Sequence, residues 1–269
     1  MSILKSDLSI RYVAIGDSFT EGVGDADENR PNGVRGWADR VAEQFMLADP
    51  QALYANLAIR GRLLDQIIDE QVEAALDLQP NLMSFYGGGN DILRPNSNID
   101  RLLERKGRAF AALRDADIEV FTFTGMDVRD FNAFKSTRPK TALYNELLRE
   151  VAEENGVKII DFWRMREFAN PLYFAPDRLH LNTRGHIKMA RRILDVLSDY
   201  SSHDFTDRPA TEPLEILGAR LTRMQKIRDD ARWAREFVVP WVGRRLRGTS
   251  SGDGLSPKYP ELTRFEEED

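Results

Sequence analysis

The sequence predicts an α/β fold in which a parallel sheet carries helices on both faces. Short apolar runs alternate with longer segments whose apolar residues recur three or four positions apart, and this pattern continues to about residue 200. Such alternation is typical of parallel sheets that are covered by helices. Several apolar runs end in glycine or polar residues, at the loops where sheets of this kind bind ligands.

Five apolar runs are short enough to be buried strands, and they are 12–15, 53–57, 81–86, 119–123 and 157–161. Between and after them, five segments present apolar side chains at helical spacing. These helical faces begin at Trp37, Leu63, Ile99, Leu143 and Ile187. The order predicts a five-stranded parallel sheet between two layers of helices.

The character of the sequence changes after Tyr200. Residues 201–213 are polar, residues 214–239 have an apolar face at helical spacing, and residues 240–269 are rich in Gly, Pro, Ser and charged residues. We assign residues 8–200 to one domain and residues 201–269 to a C-terminal extension of linker, docking helix and polar tail. A helix so apolar on one face needs a covering surface, which we expect to be the preceding domain or a second subunit of a homo-oligomer. The alternatives are a membrane-surface role for its Trp- and Arg-containing stretch and a loosely ordered tail.

Composition excludes several classes of protein. The net charge is -6 and the pI is about 5.3, so nothing in the total favours nucleic acid as a partner. The absence of cysteine excludes disulfides and thiolate catalysis. Residues 1–11 lack a signal-peptide pattern and no stretch has the length of a membrane span, so we expect a cytoplasmic protein without a membrane partner.

The first candidate for chemistry is Ser18 in Gly16-Asp17-Ser18, directly after the first predicted strand. A serine on a tight turn at a strand end projects its hydroxyl above the sheet edge. That hydroxyl becomes a nucleophile only when a base removes its proton. The alternative is a serine that caps the following helix.

The second candidate is the pair Asp177 and His180 in Asp177-Arg178-Leu179-His180. A general-base imidazole needs a partner that fixes its tautomer and orientation, and an aspartate three residues earlier can fold back onto the ring. The alternative is a surface turn or a buried structural pair. His186 is expected to play a structural role at the start of the last helix.

Two further loops contain candidate hydrogen-bond donors. The amide of Asn90, in Gly87-Gly88-Gly89-Asn90-Asp91, and the backbone N–H of Gly61 lie after predicted strands. Donors at such positions can stabilise an oxyanion. The alternative for each is an ordinary turn, since Gly and Asn dominate turns.

The four fragments occur in the order in which the SGNH/GDSL hydrolase family carries them. Ser18 matches its G-D-S motif, Gly61 its glycine after the second strand, Asn90 its G-x-N-D motif, and Asp177 with His180 its D-x-x-H motif. The sequence therefore resembles this family over residues 10–200. An α/β-hydrolase would require G-x-S-x-G, whereas Thr20 stands where that motif needs its second glycine.

The resemblance implies a flavodoxin-like three-layer α/β/α sandwich and hydrolysis of carboxylic acyl esters. It implies that Ser18 is the nucleophile, that His180 is the base oriented by Asp177, and that an acyl-enzyme forms. It also implies an oxyanion hole made by the N–H groups of Ser18 and Gly61 and the Asn90 amide. No cofactor and no metal are required.

The substrate remains open at this point beyond a small-molecule ester. The alternatives are a carbohydrate O-deacetylase, a lysophospholipase or thioesterase of the same fold, and a binding module without catalysis. Large side chains in the loops after the fourth and fifth strands either line an acyl pocket or pack in the core, and they are Met126, Phe131, Phe134, Trp163, Tyr173 and Phe174.

Overall fold

A central sheet organises the part of the chain that the computed structural model describes, which comprises residues 8–129, 131, 134–198, 228, 230–240, 243, 247 and 249–265. Its strands are β1 (Arg11–Ile15), β2 (Leu53–Asn56), β3 (Leu82–Phe85), β4 (Glu119–Phe123), β5 (Lys158–Ile160) and β6 (Tyr259–Thr263). They lie in the order β5-β4-β3-β1-β2-β6. Strands β1 to β5 pair in parallel, and β6 pairs antiparallel with β2.

The predicted α/β fold is confirmed, but the predicted number of five strands is wrong. Strand β6 comes from residues that the sequence analysis placed in a polar tail. The strand signal is weak there because β6 lies at the sheet edge, where Pro260 and Glu261 are exposed. Proline lacks a backbone N–H and is tolerated in a strand mainly at such an edge.

Helices cover both faces of the sheet, as the apolar periodicity predicted. They are α1 (Ser18–Glu21), α2 (Gly36–Ala48), α3 (Leu64–Ile67), α4 (Glu73–Asp77), α5 (Gly89–Ile92), α6 (Ile99–Asp115), α7 (Arg138–Glu154) and α8 (Thr183–Ser198). A π-helical segment, Ile68–Val72, joins α3 to α4, and a second one spans Ala234–Val238. Short 3₁₀ turns occupy Pro31–Gly33, Lys135–Thr137, Phe162–Arg164, Arg166–Ala169 and Pro171–Tyr173.

The core is divided by the sheet into two apolar layers. Helices α2 and α8 pack together over one face, where Trp37 and Ile193 are fully buried. Helices α6 and α7 pack over the other face, where Phe110 and Leu148 are fully buried. This arrangement is the three-layer sandwich that the resemblance implied.

The strand order places a crevice at the carboxyl ends of β1 and β3. The chain leaves β1 for β2 on one side and then crosses to β3 on the other side, so the loops after β1 and β3 diverge. Ligands bind at such a switch point in open α/β sheets. Ser18 follows β1 and Asn90 follows β3, so the topology brings these two candidates to the same crevice.

A buried lysine anchors the segment that precedes β6. The Lys258 ammonium donates to the Asp39 carboxylate at 2.7 Å, and to the carbonyl oxygens of Glu21 at 3.0 Å and Arg35 at 2.6 Å. Next to it, Tyr259 packs against Tyr54 of β2. Residues 258–263 thus pack with the sheet, whereas the proposed division of the chain at residue 200 stays a prediction. The docking-helix prediction falls mostly on residues outside those described.

None of the helices in the described residues combines the length and the apolar character that crossing a bilayer requires.

Candidate active site

Ser18 is the first residue of α1, immediately after the turn that leaves β1. The carboxylate of Asp17 caps this short helix by accepting the Phe19 N–H at 3.1 Å. The Asp17 carbonyl also accepts the N–H groups of Thr20 and Glu21, which tightens the turn. Capping is thus performed by Asp17 rather than by Ser18, and the Ser18 hydroxyl is available for other contacts.

His180 contacts Ser18 across 162 residues of sequence. The Nε2 atom of His180 lies 2.9 Å from the Ser18 Oγ atom, and its Nδ1 atom lies 2.6 Å from Oδ2 of Asp177. Because a carboxylate only accepts, Asp177 holds a proton on Nδ1 and leaves Nε2 as the acceptor for the serine hydroxyl. The predicted hydroxyl, imidazole and carboxylate are therefore brought together in one chain of hydrogen bonds.

The turn around Asp177 is fixed by its own backbone. Oδ1 of Asp177 accepts the N–H groups of Leu179 and His180, each at 3.0 Å. Arg178 has a φ of 58°, in the left-handed region that residues with a Cβ rarely adopt. Burial acts to raise the pKa of the Asp177 carboxyl, but the hydrogen bond and charge of His180 outweigh it and the net pKa is lowered. The carboxylate form is thus favoured beside the imidazole.

Asn90 is the second residue of α5, which follows the short loop after β3. Its side-chain amide donates to the Arg62 carbonyl at 3.0 Å and to Oδ2 of Asp17 at 3.3 Å. The preceding Gly88 has a φ of 103°, and a Cβ there would lie 2.6 Å from the Tyr144 ring. Glycine at position 88 thus allows the loop to pack closely against α7.

Beneath this loop lies a buried lysine that the sequence analysis did not single out. The Lys106 ammonium is 3.2 Å from the Tyr144 hydroxyl, which donates to the Gly87 carbonyl at 2.5 Å. Burial lowers the pKa of Lys106 to about 7, although the charges of Asp17 and Asp91 oppose that shift. The sequence did indicate that Lys106 is buried, because position 106 falls on the apolar stripe of α6 between Leu103 and Phe110.

Asp17 is also buried, and it has a perturbed pKa. Burial raises the pKa of its carboxyl to about 7, against the hydrogen bond from the Phe19 N–H and the charges of His180 and Lys106. In the sequence, Asp17 is the residue that precedes Ser18. The structure adds that its carboxylate joins the Ser18 turn to Asn90.

Gly61 lies in the loop after β2, where its φ is 80°. It is not among the residues that line the cleft described below. A Cβ at position 61 would lie 2.1 Å from the Ser250 hydroxyl, so the loop packs closely on the segment before β6. The role of the Gly61 N–H as an oxyanion donor stays a prediction.

Ser18, Asn90 and His180 open into one cleft of about 140 Å³. Arg178 also lines the cleft. Most of the wall is apolar and is formed by Phe19, Tyr86, Ile92, Leu93, Met126, Val128, Phe134, Phe162, Phe174, Leu179 and Leu181. Of the large side chains expected to line a pocket or pack in the core, Met126, Phe134 and Phe174 line the cleft. Phe131 instead packs on Phe174 with ring centroids 4.9 Å apart.

His186 is fully buried in α8 and takes part in structural hydrogen bonds. Its Nδ1 atom accepts the Trp37 N–H at 3.1 Å, and its Nε2 atom lies 3.3 Å from the Val23 carbonyl oxygen. Burial lowers the pKa of His186 to about 4. This neutral histidine ties α8 to the loop after α1. Among the described residues, no group of three His, Asp or Glu is placed to hold a metal ion.

Solved structures with the same fold include several esterases. An α/β hydrolase from the Lake Arreo metagenome superposes with a TM-score of 0.61 at 19% identity, covering 74% of this chain and all of that one (100%). The acetylxylan esterase of Geobacillus stearothermophilus gives 0.59 at 18% identity, with coverages of 73% and 96%. The acetyl xylan esterase AlAXEase gives 0.58 at 17%, with coverages of 70% and 100%. These similarities establish the fold.

No curated protein sequence matches the chain. A family model does match it, over residues 14–187, and its description is GDSL-like lipase/acylhydrolase. The matched span begins within β1, includes Ser18, Asn90, Asp177 and His180, and ends early in α8. This match confirms the resemblance seen in the sequence, and the chain therefore belongs to the GDSL-like lipase/acylhydrolase family of serine ester hydrolases.

Proposed function

We propose that the chain hydrolyses esters of short acyl groups, with Ser18 as nucleophile and His180 as base. Ser18 Oγ attacks the ester carbonyl carbon while Nε2 of His180 takes the hydroxyl proton, and Asp177 stabilises the imidazolium. The tetrahedral adduct then expels the alcohol, which leaves with the proton from His180. Water attacks the acyl-enzyme with His180 again as base, giving the free acid and restoring Ser18. The observation that carries the proposal is the hydrogen-bond chain at 2.9 and 2.6 Å.

The oxyanion that forms in each step needs donors that are already in place. We assign this role to the N–H groups of Ser18 and Gly61 and to the Asn90 amide. Asn90 supports the assignment best, since it lines the same cleft as Ser18 and its amide is oriented by the Arg62 carbonyl. Donors aimed at developing charge in a water-poor site are a major source of rate enhancement.

The size of the cleft favours a short acyl group. A closed apolar cavity of about 150 Å³ accommodates a molecule the size of benzene, and the cleft beside Ser18 measures about 140 Å³. Drug-sized ligands occupy about 300–1,000 Å³. A long fatty-acyl chain would therefore extend beyond the cleft, whereas acetyl to butyryl groups fit within it.

The test combines covalent labelling with a series of aryl esters of increasing acyl length. A fluorophosphonate should modify Ser18, as located by mass spectrometry, and Ser18→Ala should lose both labelling and turnover. Ser6→Ala is the matched control, because it removes a serine from the far N-terminus. An adduct on another serine, or turnover by Ser18→Ala near the wild-type rate, would refute the assignment.

The second candidate is O-deacetylation of a carbohydrate. The cleft size suits an acetyl group, and two of the structural neighbours are named as acetylxylan esterases. Turnover of acetylated xylo-oligosaccharides should be compared with that of aryl acetate at equal concentration. A kcat/KM at least tenfold higher for the sugar ester would favour this candidate, and preference for the aryl acetate would favour a general short-chain esterase.

A further inference from the structure

A short segment near the C-terminal end contacts the turn that carries Asp177 and His180. The indole N–H of Trp233 donates to the Asp177 carbonyl oxygen at 2.9 Å. The Arg178 guanidinium lies 5.2 Å from the centroid of the Trp233 ring and forms an ion pair with Asp230 at 2.5 Å. Three contacts of different kinds thus join residues 230–233 to two consecutive residues of the turn.

The same indole contacts a second residue of the cleft wall, Phe134. The Phe134 ring meets the Trp233 ring edge to face, with centroids 6.3 Å apart and planes at 89°. Phe134 and Arg178 both line the cleft, while Trp233 itself is not among the lining residues. Trp233 therefore lies behind two lining side chains that come from separate loops.

The turn has a physical need for such external contacts. Left-handed backbone is disfavoured at a residue with a Cβ, and Arg178 adopts it between the two residues of the acid–base pair. Inside the turn, the Asp177 carboxylate is committed to His180 and to two backbone N–H groups. The Asp177 carbonyl oxygen receives its hydrogen bond from outside, from Trp233.

We propose that Trp233 is a positioning and specificity-determining residue for the ester hydrolysis proposed above. Its N–H and its cation–π contact with Arg178 hold the Asp177–His180 turn at the distance that Ser18 requires. Its ring supports Phe134 and Arg178 from behind and so limits the acyl length that the cleft accepts. The inference rests on the proposed roles of Ser18, Asp177 and His180.

Two substitutions separate the hydrogen bond from the ring. Trp233→Phe keeps an aromatic ring behind Phe134 and Arg178 but removes the N–H. A neutral hydrogen bond contributes about 0.5–1.5 kcal/mol, so kcat should fall roughly 2- to 13-fold with the acyl-length optimum unchanged. Trp233→Ala removes both contacts, so kcat should fall further and the optimum of the C2–C8 ester series should move to acyl groups at least two carbons longer.

Trp163→Ala is the matched control, because it removes an indole that is likewise stacked with an arginine, Arg138, at 5.3 Å, and lies outside the cleft lining. It should retain the wild-type acyl-length profile and a kcat within twofold. All variants are compared at equal folded fraction, as measured by thermal unfolding. If Trp233→Ala does not fold, Trp233→Phe still tests the hydrogen bond and Trp233→Leu tests the loss of the ring.

The inference is overturned if Trp233→Ala keeps the wild-type acyl-length profile, or if Trp233→Ala and Trp163→Ala lower kcat equally. Fluorophosphonate labelling of Ser18 in the wild type separates this failure from failure of the proposed function. Labelling at Ser18 with unchanged profiles in the Trp233 variants rejects only the role of Trp233. Absence of labelling at Ser18 rejects the proposed mechanism itself.

Discussion

The Asn90 side-chain amide donates to the Asp17 carboxylate at 3.3 Å, so the acid beside Ser18 helps to orient the proposed oxyanion donor. The other amide hydrogen is directed to the Arg62 carbonyl at 3.0 Å. Both hydrogens are thus engaged in the free enzyme. We expect the longer contact with Asp17 to be the one that is exchanged when an oxyanion forms.

Asn90→Ala should lower kcat while changing KM little. Loss of one oxyanion donor typically costs about 10²–10³-fold in kcat, because the donor acts on charge that develops only in the transition state. Steady-state kinetics on an aryl acetate measure both constants. A kcat near the wild-type value, or a loss confined to KM, would remove Asn90 from the proposed mechanism.

Asp17→Asn should lower kcat, as measured by steady-state kinetics on an aryl acetate, because it disturbs the contact that orients Asn90. The carboxylate accepts the Phe19 N–H at Oδ1 and the Asn90 amide at Oδ2. In asparagine an NH₂ group replaces one of these oxygens and would face one of the two donors. A hydrogen bond to a charged group contributes about 1.5–3 kcal/mol, which corresponds to a kcat roughly 10- to 150-fold lower.

Asp17→Asn should also change how the stability of the protein depends on pH. The pKa of Asp17 is raised to about 7 in the folded protein, chiefly by burial. The folded state therefore binds the proton more tightly than the unfolded state, and the Asp17 contribution to stability falls as pH rises from about 4 to 7. Urea unfolding should show Asp17→Asn gaining stability relative to wild type across that range. A parallel pH dependence in the two proteins would contradict the buried, perturbed carboxyl.

Lys106→Met should lose stability relative to wild type as pH rises, whereas Asp17→Asn should gain it. The pKa of Lys106 is lowered to about 7, chiefly by burial. An unfolded lysine titrates near 10.4, so between these values the unfolded state binds more protons and wild-type stability rises with pH. Methionine does not titrate and should remove this slope, which is at most about 1.4 kcal/mol per pH unit.

Urea unfolding at pH 7.5, 8.5 and 9.5 measures the difference between Lys106→Met and wild type. The free energy of unfolding of the wild type should rise steadily relative to that of Lys106→Met as pH increases. Lys140→Met is a suitable control, because Lys140 lies on α7 and donates to the exposed carbonyl groups of Arg94 and Pro95. A difference that stays constant with pH would show that Lys106 is not neutralised by burial.

Lys258→Met should destabilise the whole domain rather than a detached tail. Lys258 and Asp39 are both fully shielded from solvent at their side chains, 0% exposed in each case. Removing one partner of a buried ion pair costs about 3–5 kcal/mol, because the other charge is left unpaired. Chemical unfolding followed by tryptophan fluorescence should show a single transition at lower urea. The double variant Asp39→Asn/Lys258→Met should recover part of the loss, and a wild-type midpoint for Lys258→Met would contradict the anchoring role.

The sequence was sufficient to predict the parts of the site that depend on short-range motifs. Ser18, Asp177 and His180 were predicted, and they lie within hydrogen-bond distance in the structure. The resemblance supplied their order, and the parallel-sheet rule explained why distant loops meet. The catalytic roles remain predictions that the labelling and kinetic experiments test.

Other features depend on contacts that no local pattern encodes. The indole of Trp233 meets the Asp177 carbonyl over 56 residues of sequence, and the choice of partner is set by tertiary packing. Strand β6 was missed because Pro260 and the exposed Glu261 interrupt the alternation of apolar and polar residues that indicates a strand. Lys106 was missed because a lysine on an apolar stripe is normally taken to extend its charged end into water.

The ion pair between Lys258 and Asp39 joins residues 219 positions apart, and this distance has a consequence during synthesis on the ribosome. At about 5–20 residues per second, translation of the intervening chain takes roughly 10–45 s. Throughout that interval the Asp39 carboxylate lacks its native ammonium partner, and β2 lacks its native neighbour on the outer edge. The nascent domain is therefore open to non-native strand pairing until its last strand emerges, and prematurely released chains would be substrates for chaperones and proteases.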